Sequence, residues 1–85
     1  MTGDALRDQV VQAAREISTG TLAPRAGAAR IWSLLSEAGY PPELAEFRVF
    51  VGLVSEIEDH PEHAETYIAD ILEEAEDVVA RNAAT

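Results

Sequence analysis

The sequence predicts an all-α fold: a single-domain four-helix bundle-like arrangement with an apolar third helix at the centre. Three observations carry that expectation. Apolar residues recur at three- and four-residue spacing along most of the 85-residue chain. Gly and Pro fall at intervals between those runs. No stretch sustains the period-two alternation of a half-buried strand.

The first helix is expected over residues 4–18. Leu6, Val10, Ala13, Ala14 and Ile17 share one face at helical spacing. Asp4 is placed to cap the start, and Gly20 to end the helix. The second is expected over 24–38, opening on Pro24, whose missing N–H costs nothing in a first turn. Ala28, Ile31, Trp32, Leu35 and Ala38 form its stripe, and Gly39 stops it. Gly27 weakens this helix by roughly 1 kcal/mol relative to Ala unless it permits close packing.

Tyr40-Pro41-Pro42 reads as a stiff, extended connector. The third helix is expected over 42–59. Leu44, Phe47, Val49, Phe50, Val51, Leu53, Val54 and Ile57 cover more than one of its faces, the pattern of a central helix. His60-Pro61 then breaks the period, because Pro lacks an N–H and disfavours helical geometry in the residue before it. The fourth helix is expected over 61–81, with a stripe of Ala64, Ile68, Ile71, Leu72, Ala75, Val78 and Val79 and a frayed tail at 82–85. Asp59 or His60 is expected to cap it.

Charge divides the chain. Residues 1–42 carry four acids and four arginines, whereas residues 43–85 carry twelve acids against Arg48 and Arg81. The entire net charge of −10 therefore lies in the second half, where Glu56 to Asp77 holds ten carboxylates and no Lys or Arg. Such a field concentrates cationic partners and repels polyanions, so direct nucleic-acid binding is not expected. On the last helix Glu62, Glu65, Asp70, Glu73, Glu76 and Asp77 fall opposite the apolar stripe. Glu73/Asp77 and Asp70/Glu74 are like-charge pairs at i,i+4, each costing a few tenths of a kcal/mol. Acids near a helix C-terminus also oppose the dipole, and only Arg81, placed to pair with Asp77, offsets them. Tyr67, at the edge of the stripe near His63, Asp70 and Glu74, is a candidate interface anchor, as is Tyr40.

The chemistry of catalysis is not supported. There is no cysteine, hence no thiol nucleophile or thiolate metal site. Four serines occur without a nucleophile elbow, and no phosphate-cradling glycine loop, calcium loop or H-E-x-x-H is present. Val54-Ser55-Glu56 lacks the Asp-Ser pair of acyl carrier proteins. Glu56, His60 and His63 have i,i+4 and i,i+3 spacings that suit a divalent metal, but Pro61 interrupts the helix that would align them. No enzyme activity, cofactor or metal is expected. The N-terminal residues lack the basic start and apolar run of a signal peptide, and no apolar stretch approaches a membrane span. A cytoplasmic protein is expected, of bacterial origin by its all-Arg basic complement.

The stretch F-R-V-F-V-G-L-V-S-E-I-E-D-H-P, Phe47 to Pro61, resembles segments of small acidic helical bacterial proteins of the toxin-immunity type. Glu58-Asp59-His60-Pro61 is similar to the end of the second helix in nuclease-colicin immunity proteins. The tyrosine pair and short third helix that follow there are missing, so no site residue carries over. The resemblance implies a protein that blocks a basic toxin with an acidic face. Two readings follow. In the first, Glu62, Glu65, Tyr67, Asp70, Glu73, Glu74 and Asp77 bind a basic protein partner. In the second, the protein is a homodimer or scaffold subunit and the acids serve only solubility.

Overall fold

The computed structural model describes residues 3–83, with side chains from 5 to 82. Among the described residues there are four α-helices and no strand: α1 (Gly3–Thr19), α2 (Pro24–Glu37), α3 (Arg48–Asp59) and α4 (Ala64–Ala83). One-turn to two-turn 3-10 segments, Pro42–Phe47 and Pro61–His63, precede α3 and α4. The capping role expected of Asp4 falls on a side chain outside those described.

Each helix forms where its apolar stripe finds a neighbour. The helices α1 and α2 pack together, α2 packs on α3, α3 on α4, and α4 returns to α1, while α2 and α4 also meet across the ring. The shortest dimension, 18 Å, is that of two helix layers. Val10, Ala14 and Ile17 from α1 meet Ala28, Ile31 and Leu35 from α2, Phe50, Val54 and Ile57 from α3, and Ile71, Ala75 and Val78 from α4. Leu44 and Phe47 of the first 3-10 segment complete this core. No polar or charged residue is buried among the described residues.

Gly20 and Gly39 end α1 and α2 with φ of 85° and 76°, a region that suits residues without a Cβ. At the end of α2 the Tyr40 N–H reaches back to the Leu35 carbonyl at 2.8 Å, the long bond of a Schellman turn. Tyr40 itself has φ 54°, costly for a bulky residue, and it stands before a proline. Three contacts hold it there. The Trp32 Nε1–H donates to the Tyr40 hydroxyl at 2.8 Å, Arg48 Nη2 donates to the Tyr40 carbonyl at 3.0 Å, and the Arg48 guanidinium lies 5.4 Å from the ring centre. The connector is thus a clasped corner.

Several expectations need correction. Residues 42–59 are not one helix: a 3-10 segment, Pro42–Phe47, kinked inside at Leu44 (φ −114°, ψ 21°), precedes α3. Leu44 and Phe47 are both buried, and i,i+3 spacing lets a 3-10 turn bury them together. The apolar third segment does supply the centre of the core, through Phe47 and Phe50, but α3 is one wall of the ring. Val49 on its outer side is 47% exposed, and Val51 and Leu53 are half-buried. Ala38 is exposed because α2 ends at Glu37 and the chain is already turning. No side-chain cap hydrogen bond opens the turn at His60. Its backbone does the work, accepting from the His63 N–H at 2.9 Å. Helices α3 and α4 are separate, divided by His60 at φ −134°, ψ 67°. Finally, α4 continues through Asn82 and Ala83, Asn82 Nδ2 donating to the Val78 carbonyl at 2.8 Å.

Gly27 does permit close packing. A β-carbon there would overlap the Ile17 side chain of α1. Gly27→Ala is therefore expected to destabilise the fold by about 1–3 kcal/mol of overpacking, outweighing the roughly 1 kcal/mol that Ala gains in helix propensity. Gly52 on α3 would place a β-carbon in open space. Gly52→Ala is expected to stabilise by up to about 1 kcal/mol. Urea melts of the two variants check the pair, which must differ in sign.

Candidate functional site

The surface that carries most of the charge is built by α4 and the turn before it. At 100° per residue the buried residues Ile71, Ala75 and Val78 define the inner side of α4. Glu65, Asp70, Glu73, Glu76 and Asp77 are exposed on the other side. Glu62 is exposed on the 3-10 turn Pro61–His63. Five of the seven predicted contact residues (Glu62, Glu65, Asp70, Glu73 and Asp77) thus face outward.

The other two are placed differently. Glu74 is only 21% exposed at its side chain, and Arg81 Nη2 approaches its Oε2 at 3.5 Å. The cation at the end of α4 therefore pairs with Glu74 and not with Asp77, as i,i+7 places both on the same flank. The Asp70/Glu74 repulsion is eased by that pairing, whereas Glu73 and Asp77 have no counter-ion among the described residues. Glu76 is exposed between Glu73 and Asp77 and belongs to the same face. The helical wheel shows it there, although it stands outside the predicted contact set.

Tyr67 is half-buried against the core. Its phenol is held protonated above the usual value of 10.0, first by desolvation of the partly buried ring. The Glu56 carboxylate beside it adds to this through its charge and by accepting a hydrogen bond, and Glu62 and Asp70 contribute charge. Of the neighbours the sequence places beside it, His63, Asp70 and Glu74, only Asp70 is among the charges that act on the phenol, and Glu56 across the break with α3 is the one the sequence does not indicate. Tyr40, the second candidate anchor, has its hydroxyl occupied by Trp32.

At the junction of α3 and α4 the Glu62 carboxylate lies 3.5 Å from His60 Nδ1 and 3.8 Å from His63 Nε2. Glu56 Oε1 is 4.0 Å from His60 Nε2. All four side chains are more than half exposed. Among the described residues no group of three or more His, Asp or Glu side chains is arranged to hold a metal ion.

No family model, curated protein or solved structure matches the chain. None of the described helices is long and apolar enough to cross a membrane.

The Tyr67 environment makes a prediction with a definite sign. A phenol whose pKa is raised on folding contributes stability that is complete below its unfolded value of 10.0 and is lost as pH rises through the higher folded value. Phenolate absorbance is expected to show one tyrosine ionising above 10.0, and Glu56→Gln to lower that transition. Tyr67→Phe is expected to remove this part of the alkaline loss of stability.

Proposed function

We propose that this is a protein-interaction module, of the immunity or inhibitor kind, that binds a basic protein surface through the acidic face of α4. Glu62, Glu65, Asp70, Glu73 and Asp77, with Glu76 beside them, steer the encounter. Tyr67 supplies a half-buried ring at the edge of the contact, and Glu74 belongs to the rim with Arg81. The observation that carries the reading is the outward acids of α4, which have no ion pair among the described residues, while Arg81 of the same helix pairs with Glu74. The like-charge i,i+4 pair Glu73/Asp77 is unfavourable for the helix, so the sequence tolerates a cost there.

The alternative is a homo-oligomeric structural protein. Val49, a large apolar side chain 47% exposed on α3, favours it. One such residue is ordinary on a monomer surface, and no other large hydrophobic is as open among the described residues. The interaction reading is therefore the stronger.

Neutralising Asp70, Glu73, Glu74 and Asp77 together (to Asn or Gln) is expected to weaken partner binding while helical circular dichroism is kept. Affinity in the parent protein is expected to fall with added salt as surface charges are screened. A low-salt pull-down eluted by a salt gradient supplies the partner for this measurement. Unchanged affinity in the fourfold variant would remove α4 from the interface. A melting temperature that rises with protein concentration would favour self-assembly instead.

A further inference from the structure

A second surface, separate from α4, has the features of a binding groove. The first turns of α1 lie along the last turns of α2, leaving a groove of about 420 Å³ open to solvent along one side. Its floor is apolar, from Leu6, Leu34, Ala38 and Pro41, and Glu37 and Glu43 stand in its walls. Neither carboxylate has an ion pair or hydrogen bond among the described residues. The neighbouring cation, Arg7, is committed elsewhere. Its guanidinium donates to the Glu43 backbone carbonyl at 3.0 Å, lies 3.6 Å from Glu46 Oε1, and sits 5.3 Å from the centre of the Phe47 ring. The groove also receives the negative end of the α2 dipole, since α2 has no basic residue in its last turn. Two free carboxylates and a helix C-terminus thus converge on an apolar floor.

We infer that this groove docks an amphipathic basic peptide segment, one that lays apolar side chains on Leu6, Leu34 and Ala38 and sets Lys or Arg beside Glu37 and Glu43. Charge complementarity selects the cation. The groove is open to solvent and is lined by about one turn at each side, residues 5–9 and 34–38, which favours a peptide laid across it over a small ligand, which an enclosed pocket would surround more completely. The inference is independent of the proposal for α4, because the two surfaces share no residue.

The probe is a synthetic helical peptide of Leu and Lys with Leu at i, i+3, i+4 and i+7, titrated at physiological salt into isotope-labelled protein and followed by amide shifts. Shifts are expected at Leu6, Gln9, Leu34 and Ala38, and to persist in the fourfold α4 variant. Glu37→Gln with Glu43→Gln is expected to weaken Kd about tenfold. Ala5→Arg, which places a cation on an aliphatic stem at the groove edge, is expected to compete with the peptide. Circular dichroism checks that both variants are folded, as their exposed positions predict. Shifts confined to Glu73, Glu76 and Asp77 would overturn the inference. So would a Leu/Gln peptide that binds equally well, or n-octylamine saturating the groove as tightly as the peptide does.

Discussion

At the crossing of α1 and α2 there is no room for a β-carbon on Gly27, because Ile17 already fills the space. That close approach governs the rest of the bundle. The core is short of bulk: Phe47 and Phe50 are its only fully buried aromatic side chains, and Ala13, Ala14, Ala28 and Ala75 occupy buried positions. Small residues fill a core only if the helix axes draw together, since voids forfeit dispersion contacts that nothing else replaces. With α1 and α2 seated on each other, Leu35 and Ile31 reach the two Phe rings, and α4 closes against α1 with Ala75 inward. The corner at Tyr40 serves the same end. It turns the chain sharply enough for the 3-10 segment to bring Leu44 and Phe47 into the core alongside α1 and α3. The strain of its positive φ is held by Trp32 and Arg48.

Because the described interior contains no polar or charged residue, the fold places no demand on where the acids lie. Surface ion pairs contribute little to stability, so the charge pattern is free to answer other requirements. Three of the four helices (α1, α2 and α3) end without a basic residue in the last turn. Only α4 has one, Arg81, and it leans toward the half-buried Glu74 and leaves the outer acids bare. An arrangement optimised for helix stability would place cations at those ends. The fold therefore accounts for little of the charge distribution, which is left to solubility or to a partner.

The parts of the fold legible in the sequence are those that a single residue decides. Gly20, Gly39, Pro24 and Pro61 mark element ends because φ and the missing N–H act locally, whatever the tertiary setting. The inner faces of α1 and α4 follow for a similar reason, as long runs with one clear period. The division of residues 42–59 was hidden because Leu44 and Phe47, three apart, suit a 3-10 turn and an α-helix equally. Val49 is one of eight apolar residues that cover more than one face of that stretch, and only the neighbours of α3 determine which of them face water. Of the acidic face, the exposure of Glu73 and Asp77 follows from the wheel. The turning of Glu74 toward Arg81 does not, since it depends on which flank of α4 lies against the bundle.

The α1–α2 groove was illegible for a further reason. Leu34 stands one position before a core residue and was not part of the expected stripe, and Ala38 was expected to be buried. Both line a surface that exists only because α2 stops at Glu37 and the chain turns away through Gly39. Glu37 carried the one available signal: an acid in the last turn of a helix, where the dipole disfavours it. The larger face on α4 carries a different signal, the like-charge pair Glu73/Asp77 at i,i+4, since the last turn of α4 holds Arg81. In both places the local cost of a misplaced acid coincides with apolar surface nearby, Tyr67 in one case and Leu6 with Leu34 in the other. Cationic side chains would relieve the first feature and apolar ones would cover the second, which is why the two proposals, made for separate surfaces, call for partners of the same chemistry.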